Sequence, residues 1–226
     1  MQNYGNNMIQ VYFVEIANEI LSDRYANLLD IVSKDKREKI EKYRYDIDKK
    51  LSLYSELLVR YMACRILNAN NQKLTFSTNK YGKPFLIGYP EFQYNISHTR
   101  NAIAVGISNK NIGVDIENIK MFVYAPDLVK KIFTVNEINK ILSSADINKC
   151  FCEHWTKKEA YLKYSGTGLS TPLKSFNVLD DSLKSKTTTL EQNGYVISVY
   201  CDDMVSEINA ETFTEQEILS LFSEIG

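Results

Sequence analysis

Hydrophobic residues follow two different repeats along this chain, and the repeats divide it into strands and helices. Alternation of apolar and polar residues predicts strands, whereas apolar residues three or four positions apart predict helices. The predicted strands are Ile9–Ile16, Ile112–Glu117 and short segments around Thr75, Phe85, Tyr94, Ala104, Phe176, Val196 and Ile208. The predicted helices lie near Glu19–Ile31, Lys34–Tyr45, Lys49–Leu67, Pro126–Ser143 and Ile147–Ser165, and a last short helix ends the chain.

The order of these elements repeats. Each half of the chain opens with a strand, passes through helices and finishes in short strands, which predicts an α+β fold of two similar α/β halves that meet near Ser108–Asn111. The chain contains only nine glycines and four prolines, and no stretch is rich in Ser, Gly or Pro. We therefore expect the two halves, residues 1–108 and 109–226, to pack directly against each other and to leave a fixed cleft between them.

Composition places the chain among ordinary globular proteins. Of its 226 residues, 44% are hydrophobic and 24% are charged, which excludes disordered and fibrous classes. The N-terminus lacks the pattern of a signal peptide, and no apolar run approaches the ~20 residues of a membrane helix, so we expect a cytoplasmic protein. The four cysteines have no CxxC spacing and are expected to be reduced and packed; they are Cys64, Cys150, Cys152 and Cys201.

The net charge of −1 conceals two unlike regions. Lys186 is the last basic residue, and the eight acidic residues from Glu191 onwards give the tail a charge of −8 and the preceding chain a charge of +7. This basic excess is too small for a surface that coats nucleic acid. It suits a small polyanion such as a nucleotide.

The strand Ile112–Glu117 carries the first candidate for chemistry. Its alternation places Asp115 and Glu117 on one face, together with Gly113. Two neighbouring carboxylates repel unless a cation lies between them, and oxygen ligands suit Mg²⁺. Because Gly113 has no side chain, a ligand can approach closely beside the pair. The alternative interpretation is an edge strand with a solvated polar face.

The helix Phe151–Lys163 carries the second candidate. Glu159 lies on the same apolar stripe as Trp155 and Leu162, and Lys163 follows one turn later. An unpaired buried carboxylate is costly. The simple alternative is a Glu159–Lys163 pair, worth only about 0.3–0.5 kcal/mol on an exposed helix. The residue types favour a third metal ligand followed by a lysine that faces a phosphate.

Three weaker features also favour phosphate binding. They are the turn Tyr81–Pro84, the strand end Asn95–His98 and the helix start Lys36–Lys39. Each has an ordinary alternative: a turn, a structural histidine or a solvated helix face. Further along the chain, Thr134 and Glu137 fit a capping box at the start of a helix. This structural role is the default interpretation of Glu137.

Taken in order, these segments resemble the Sfp-type 4′-phosphopantetheinyl transferases. The resemblance runs from about Lys36 to Ser170 and rests on Gly82–Pro84, Asn95–His98, Gly113–Glu117 and Trp155–Lys163. The length matches the double-unit branch of the family rather than its short trimeric members. The resemblance implies a monomeric pseudo-dimer with coenzyme A in the cleft. The N-terminal half would take the adenosine and 3′-phosphate side, and the C-terminal half would carry the metal and catalysis.

The resemblance also implies roles for individual residues. The ligands of Mg²⁺, or of Mn²⁺ in its place, would be Asp115, Glu117 and Glu159. Coenzyme A would be bound by Lys36 and Lys39 at its 3′-phosphate, by Gly82, Lys83 and Pro84 at its adenosine end, by Ser97 and His98 at its phosphates, and by Ser52. Lys163 would steady the pyrophosphate. Where many relatives carry an arginine, this chain has Leu51, and neighbouring Lys50 is the candidate replacement.

The activity implied is Mg²⁺-dependent transfer of 4′-phosphopantetheine from coenzyme A to a serine of an apo acyl or peptidyl carrier protein, with release of 3′,5′-ADP. Glu159 is the first candidate to take the serine proton, through the metal sphere or a water, and Glu137 is the second. The carrier could serve fatty-acid, polyketide or nonribosomal-peptide synthesis. Lys130 and Lys131 are candidates for contact with an acidic carrier, against the alternative of a solvated helix face.

Two other classes of function stay open at this stage. A non-catalytic, regulatory protein that binds coenzyme A would not need all three carboxylates together with Lys163. A metal-dependent nuclease would need a broad basic groove, which the acidic tail disfavours. We therefore expect neither nucleic acid nor membrane as a partner.

Overall fold

The computed structural model describes residues 9–16, 23–121, 123–202 and 208–222, and its architecture is α+β. The strands described are β1 (Ile9–Glu15), β2 (Phe76–Thr78), β3 (Pro84–Leu86), β4 (Gln93–Thr99), β5 (Ala102–Ser108), β6 (Ile112–Asn118), β7 (Thr187–Gln192), β8 (Tyr195–Cys201) and β9 (Ala210–Phe213). The helices described are α1 (Asp23–Leu28), α2 (Lys34–Glu41), α3 (Asp46–Leu67), α4 (Pro126–Ile132), α5 (Val135–Leu142), α6 (Ile147–Ser165), α7 (Asp181–Lys184) and α8 (Glu215–Ser220).

Two sheets form the centre of the fold. The first has the strand order β4-β5-β1-β9, in which β9 runs parallel to β1 and the other pairs are antiparallel. The second is antiparallel, with the order β6-β8-β7. Strands β2 and β3 form a separate hairpin. The first sheet therefore combines three strands of the N-terminal half with β9 from the end of the chain, and the second sheet contains strands of the C-terminal half alone.

The alternation along the strands packs these sheets in layers. In β1, Val11 and Phe13 face an apolar cluster shared with Ile112, Val114 and Ile116 of β6, so one face of each sheet meets the other. The opposite face of the first sheet lies in a separate cluster with α3, and the opposite face of the second sheet contacts α6. The result is an α/β/β/α arrangement of two similar halves, as predicted for the fold class.

The end of the chain returns to the first sheet. Strand β9 pairs with β1, with Val11 opposite Ala210, and α8 contacts α1 and α3. Lys50 and Glu215 form an ion pair of 3.2 Å, in which the lysine side chain is 4% exposed. By packing, residues 210–220 therefore lie with the N-terminal half. The division into residues 1–108 and 109–226 stays a proposal for the remainder of the chain.

Some predicted elements differ from the structure. The strand expected around Phe176 is wrong, because this residue follows a single 3-10 turn and its carbonyl accepts a hydrogen bond from Lys158. The segment expected to be one helix from Pro126 contains two, because Thr134 caps the start of α5. Strand β7 was not predicted. The first residues of the helix expected from Glu19 lie outside the described residues.

Two compositional expectations also meet the structure. All four cysteines are free and buried, as predicted. Within the described part of the chain, the helices are too short or too polar to cross a lipid bilayer.

Gly113 serves helix packing rather than ligand access. A methyl group added there would overlap the carbonyl oxygen of Ala160 and the backbone nitrogen of Tyr164. The group that approaches the bare backbone of β6 is therefore the backbone of α6. This close approach places the charged face of α6 beside Asp115 and Glu117.

We expect Gly113→Ala to destabilise the protein by about 1–3 kcal/mol, because α6 must move away from β6 to make room for the methyl group. The measurement is the midpoint of urea unfolding, followed by circular dichroism. Gly113→Ser should cost at least as much, since its side chain is larger. A midpoint equal to that of the parent protein would contradict the packing described here.

Candidate functional site

The candidate site lies where β4 and β6 run side by side, a line that we call the seam. The two strands belong to different sheets, and side chains of β4 bind the backbone of β6. The backbone N–H of Val114 donates to Asn95 Oδ1 at 2.9 Å, and that of Ile116 donates to Ser97 Oγ at 3.4 Å. The seam therefore joins the two halves and aligns their polar residues.

Asp115, Ser97 and Lys163 meet in the middle of the seam. Lys163 Nζ donates to Asp115 Oδ1 and to Ser97 Oγ, each at 2.7 Å, and Ser97 Oγ donates to the same Asp115 oxygen at 2.9 Å. Asp115 is buried, and burial raises its pKa, whereas the charge of Lys163 opposes this shift. The simple alternative of a Glu159–Lys163 pair is therefore not what the structure shows, because the ion-pair partner of Lys163 is Asp115.

Glu117 and Glu159 lie close enough to Asp115 to feel its charge. Burial, and then repulsion from Asp115, raises the pKa of Glu117 to about 7. Burial and the same repulsion also raise the pKa of Glu159. Glu117 is held by hydrogen bonds from Thr99 Oγ1, at 3.2 Å, and from the Trp155 side chain. Three carboxylates that repel one another in a partly buried place are typical of a cation site.

These carboxylates fit a hard divalent cation. Asp115 Oδ2 is buried and has no hydrogen-bond partner among the residues that the structure describes, so one ligand oxygen is already desolvated and available. Among the described residues, no three metal-ligating side chains lie close enough together to form a preassembled metal site. The donor set is nevertheless oxygen only, which suits Mg²⁺ rather than zinc. The three predicted ligands therefore lie in one region, but they do not yet surround a single metal position.

A cavity of about 310 Å³ opens beside Glu159 and Lys163. Its lining includes the hairpin turn Tyr81–Pro84 and, packed beside it, the end of α6 with Gly166 and Gly168. Asn95 and Ile96 of β4 line the floor. The cavity is therefore lined by residues of the predicted turn and of the predicted strand end, together with Glu159 and Lys163.

The side chain of Lys83 does not point to an open phosphate position. Its Nζ donates to the carbonyl oxygens of Ile112, at 3.0 Å, and Tyr164, at 2.9 Å, and also to Asn111 Oδ1. Burial lowers its pKa to about 8. The ammonium of Lys83 is therefore bound to protein acceptors, while Gly82, Lys83 and Pro84 line the cavity.

Basic residues gather at the outer end of β4. His98 is exposed, but desolvation of its ring among its neighbours, followed by repulsion from Lys163, lowers its pKa, and Lys36 acts in the same direction. Lys36 lies 3.7 Å from Glu56, and burial lowers its pKa. Lys39 is exposed one turn further along α2. In the structure, Lys36 and Lys163 therefore both lie close enough to His98 for their charges to lower its pKa.

The beginning of α3 provides fewer candidate groups for binding coenzyme A than the sequence suggested. Ser52 is half-buried, one turn after Asp48, and Asp48 raises the pKa of His98, so Ser52 lies on the side of α3 that faces this histidine. Leu51 is buried. Lys50 cannot replace the missing arginine, because it is buried against Glu215 on the other side.

Glu137 is part of a buried structural centre rather than an accessible base. Glu137 and Lys158 are both 0% exposed and form an ion pair of 3.0 Å. The carboxylate also closes the capping box with Thr134 and accepts from the backbone N–H of Val178 at 2.9 Å. Lys158 Nζ donates further to the carbonyl of Leu173 at 2.8 Å and to that of Phe176. These contacts account for every polar atom of Glu137 and count against its role as the second candidate base.

Lys158 is the residue that sequence reasoning missed. A signal was present, since Phe151, His154, Lys158 and Leu162 follow helical spacing on one stripe and all four are buried. The sequence pattern instead favoured its neighbour Glu159 as the functional residue, because Glu159 precedes Lys163 by one turn. The buried stripe and the polar stripe thus lie side by side on α6.

Residues 111–216 match the family model of the 4′-phosphopantetheinyl transferase superfamily, and residues 20–110 match that of the 4′-phosphopantetheinyl transferase N-terminal domain. The two matches meet at residues 110 and 111. Together they cover most of the chain.

Curated relatives agree with these matches. The chain is 34% identical over 188 residues to the 4′-phosphopantetheinyl transferase gsp of Aneurinibacillus migulanus, which covers 82% of this chain and 77% of that protein. It is 28% identical over 172 residues to the 4′-phosphopantetheinyl transferase Sfp of Bacillus subtilis (strain 168), with 75% and 76% covered. It is 31% identical over 182 residues to the L-aminoadipate-semialdehyde dehydrogenase-phosphopantetheinyl transferase of Schizosaccharomyces pombe, with 71% and 70% covered.

Proposed function

This chain belongs to the 4′-phosphopantetheinyl transferase superfamily, and on that premise we propose that it transfers 4′-phosphopantetheine from coenzyme A to a serine of an apo carrier protein in a Mg²⁺-dependent reaction. The products are the modified carrier and 3′,5′-ADP. The observation that carries the proposal is the buried, half-satisfied Asp115 on the seam, with Lys163 bound to it and Glu117 and Glu159 beside it. This group borders a cavity large enough for part of a nucleotide.

The donor would lie along the seam. The cavity beside Gly82–Pro84 takes the adenosine end, and the basic neighbourhood of Lys36 and His98 takes phosphates. Asp115, Glu117 and Glu159 would hold Mg²⁺, which when bound neutralises charge on the pyrophosphate. Two of the protons of Lys163 are used by Asp115 and Ser97, which leaves the third for a pyrophosphate oxygen.

The reaction breaks one P–O bond and forms another. The serine oxygen bonds to the β-phosphorus of coenzyme A, and the bond from this phosphorus to the bridging oxygen breaks, so that 3′,5′-ADP leaves with the electron pair. The serine proton passes to Glu159, directly or through one water. Lys163 offsets the charge that develops on the leaving oxygen. Catalysis thus rests on position and electrostatics.

In-line attack decides the side from which the carrier serine enters. Attacking and leaving oxygens lie on opposite sides of the phosphorus. If the nucleotide occupies the cavity at Gly82, the serine must approach from the Glu117 end of the seam. A second polar cavity of about 270 Å³ lies there, lined in part by Thr99, Asn101 and Asn118. Its place supports entry of the carrier from this end.

Helix α4 offers a candidate surface for the carrier. Lys130 and Lys131 are exposed, and exposed Leu128 lies on the same helix. Carrier domains that are acidic around the serine would meet complementary charge here. Because the surface is small and charged, we propose it as a transient contact, and the identity of the carrier follows from experiment.

The test is to incubate the full chain with coenzyme A, Mg²⁺ and apo carrier proteins of the fatty-acid, polyketide and nonribosomal-peptide types, and to weigh each carrier by intact mass spectrometry. We expect one phosphopantetheinyl group on the serine of at least one carrier, and none on its Ser→Ala variant or in the presence of EDTA. Absence of the added group from every carrier, with Mg²⁺ and with Mn²⁺, would overturn the proposal.

Lys36 provides a prediction about the 3′-phosphate. We expect Lys36→Met to raise the KM for coenzyme A about tenfold, the size of a lost hydrogen bond to a charged group. The increase should disappear with dephospho-coenzyme A, which lacks the 3′-phosphate. Lys34→Met is the matched control, because Lys34 lies on the same helix in an exposed pair with Glu38. An equal loss with both donors would exclude the assigned contact.

A further inference from the structure

The turn between β2 and β3 is held in shape by one side chain. Asn79 Oδ1 accepts from the backbone N–H groups of Tyr81, at 2.9 Å, and Lys83, at 3.0 Å, and Asn79 N–H donates to the Lys83 carbonyl at 2.9 Å. Gly82 has φ of 88°, a conformation that favours glycine. The wall of the cavity is therefore a rigid loop, but its hairpin belongs to neither of the two main sheets.

Lys83 ties this loop to the other half of the protein. Its ammonium donates to Asn111 Oδ1, Ile112 O and Tyr164 O, and Asn111 Nδ2 also donates to Tyr164 O at 2.8 Å. An ammonium has three protons, and three acceptors are present, so its donors are used. The acceptors stand at the start of β6 and near the end of α6.

The end of α6 is a favourable place for this cation. Carbonyls in the last turn of a helix lack partners within the helix and carry partial negative charge. Asn79 Nδ2 adds a contact of 3.3 Å to the carbonyl of Gly166. A side chain at Gly166 would crowd Lys83 Cδ at 3.1 Å, and Gly166 has φ of 63°. The loop thus packs closely on the turn that directly follows Lys163.

We propose that Lys83 is a positioning residue that latches the Tyr81–Pro84 wall of the cavity to α6, and that its ammonium does not contact the phosphates of the donor. This inference rests on the proposed function only in naming coenzyme A as the occupant of the cavity. The latch fixes the wall that faces the adenosine against the start of β6 and the end of α6, whereas Lys163 is held separately by Asp115 and Ser97. Without it, the wall keeps its internal turn but loses three hydrogen bonds to the second half and retains the longer one from Asn79 to Gly166.

Kinetics separate a latch from a direct ligand. We expect Lys83→Met to raise the KM about tenfold for coenzyme A and for dephospho-coenzyme A alike, with kcat within about twofold of the parent, because the donor site is loosened while the reacting groups are kept. Lys36→Met serves as the phosphate-ligand reference, and Lys80→Met, an exposed lysine of the same turn, is the matched control. A loss confined to coenzyme A, or a loss in kcat alone, would overturn the proposal.

Asn111 provides a second variant that does not touch the cavity. Asn111→Ala removes one acceptor of the Lys83 ammonium, and Asn111 is absent from the lining of the cavity. We expect a smaller KM increase of the same kind, and a double variant with Lys83→Met that loses less than the sum of the two free-energy changes. Strict additivity, or no effect of Asn111→Ala, would contradict a shared latch.

Hydrogen exchange tests the latch without turnover. In the free protein, Lys83→Met should increase deuterium uptake at residues 79–84 and 164–168, whereas Lys80→Met should leave both segments as in the parent. If exchange rises in this way but no carrier is modified by any variant or by the parent, the latch stands and the proposed function fails. If the parent modifies a carrier and exchange is unchanged in Lys83→Met, the latch fails and the proposed function stands.

Discussion

Glu159→Gln is expected to abolish transfer to the carrier, lowering kcat/KM by at least about a thousandfold, while the protein stays folded. The amide has the shape of the carboxylate, but it can neither accept the serine proton nor offer a negative ligand to a cation. Burial and the charge of Asp115 already disfavour the ionised form of Glu159, as its raised pKa indicates. The neutral variant should therefore unfold at the same temperature as the parent or at a higher one.

The measurement combines steady-state transfer kinetics with a thermal unfolding curve. Glu153→Gln is the matched control, because it makes the same change on α6 at a position outside the three carboxylates. We expect this control to retain activity within about threefold of the parent. Activity of Glu159→Gln within tenfold of the parent would refute its role. A lower unfolding temperature would show instead that Glu159 contributes to stability.

Lys158→Met is expected to destabilise the protein by about 3–5 kcal/mol, because it leaves the Glu137 carboxylate buried without its counter-charge. The carbonyls of Leu173 and Phe176 lose their donor at the same time. Lys149→Met on the same helix removes an exposed pair with Glu191 and should cost less than about 1 kcal/mol. Urea unfolding of both variants gives the two free energies of unfolding, and similar values would contradict the contrast in burial.

Glu137→Gln then separates structure from catalysis. If Glu137 supports the fold through Lys158 and the cap of α5, the variant loses stability, but its activity per folded molecule falls by less than about tenfold. Loss of a general base would instead cost about 10²–10⁴ in rate in a protein that remains folded. Measurement at low temperature, where the variant stays folded, distinguishes these results.

Local patterns in the sequence were sufficient for several features of the site. Alternation in β6 predicted that Asp115 and Glu117 share a face, and helical spacing predicted that Glu159 and Lys163 follow each other on α6. The capping box of Thr134 is confirmed. These features depend on backbone geometry within one element, which the sequence specifies directly. The ordered motifs also identified the family, and the comparisons confirm it.

The sequence did not predict which groups the lysine side chains bind. Lys163 was expected to face Glu159 or a phosphate, yet it pairs with Asp115, 48 residues away in the chain. Lys83 was assigned to the adenosine end of coenzyme A, and the structure shows in addition that its ammonium binds the carbonyl of Tyr164, 81 residues away. Lys50 was the candidate for a phosphate contact and pairs with Glu215, 165 residues away. Each pairing depends on which helices and strands pack together. A local sequence pattern carries no information about contacts between residues so far apart in the chain.

The sequence by itself thus determined the family, the fold class and the faces on which the candidate residues lie, because these depend on composition, order and short-range geometry. Only the tertiary structure decided which charges are buried and what neutralises them. The cost of a buried charge depends on the groups around it in space. For Lys158 and Glu137 that environment is closed and structural, whereas Asp115 retains one buried oxygen without a partner among the described residues. This difference separates the residues that support the fold from those available for chemistry.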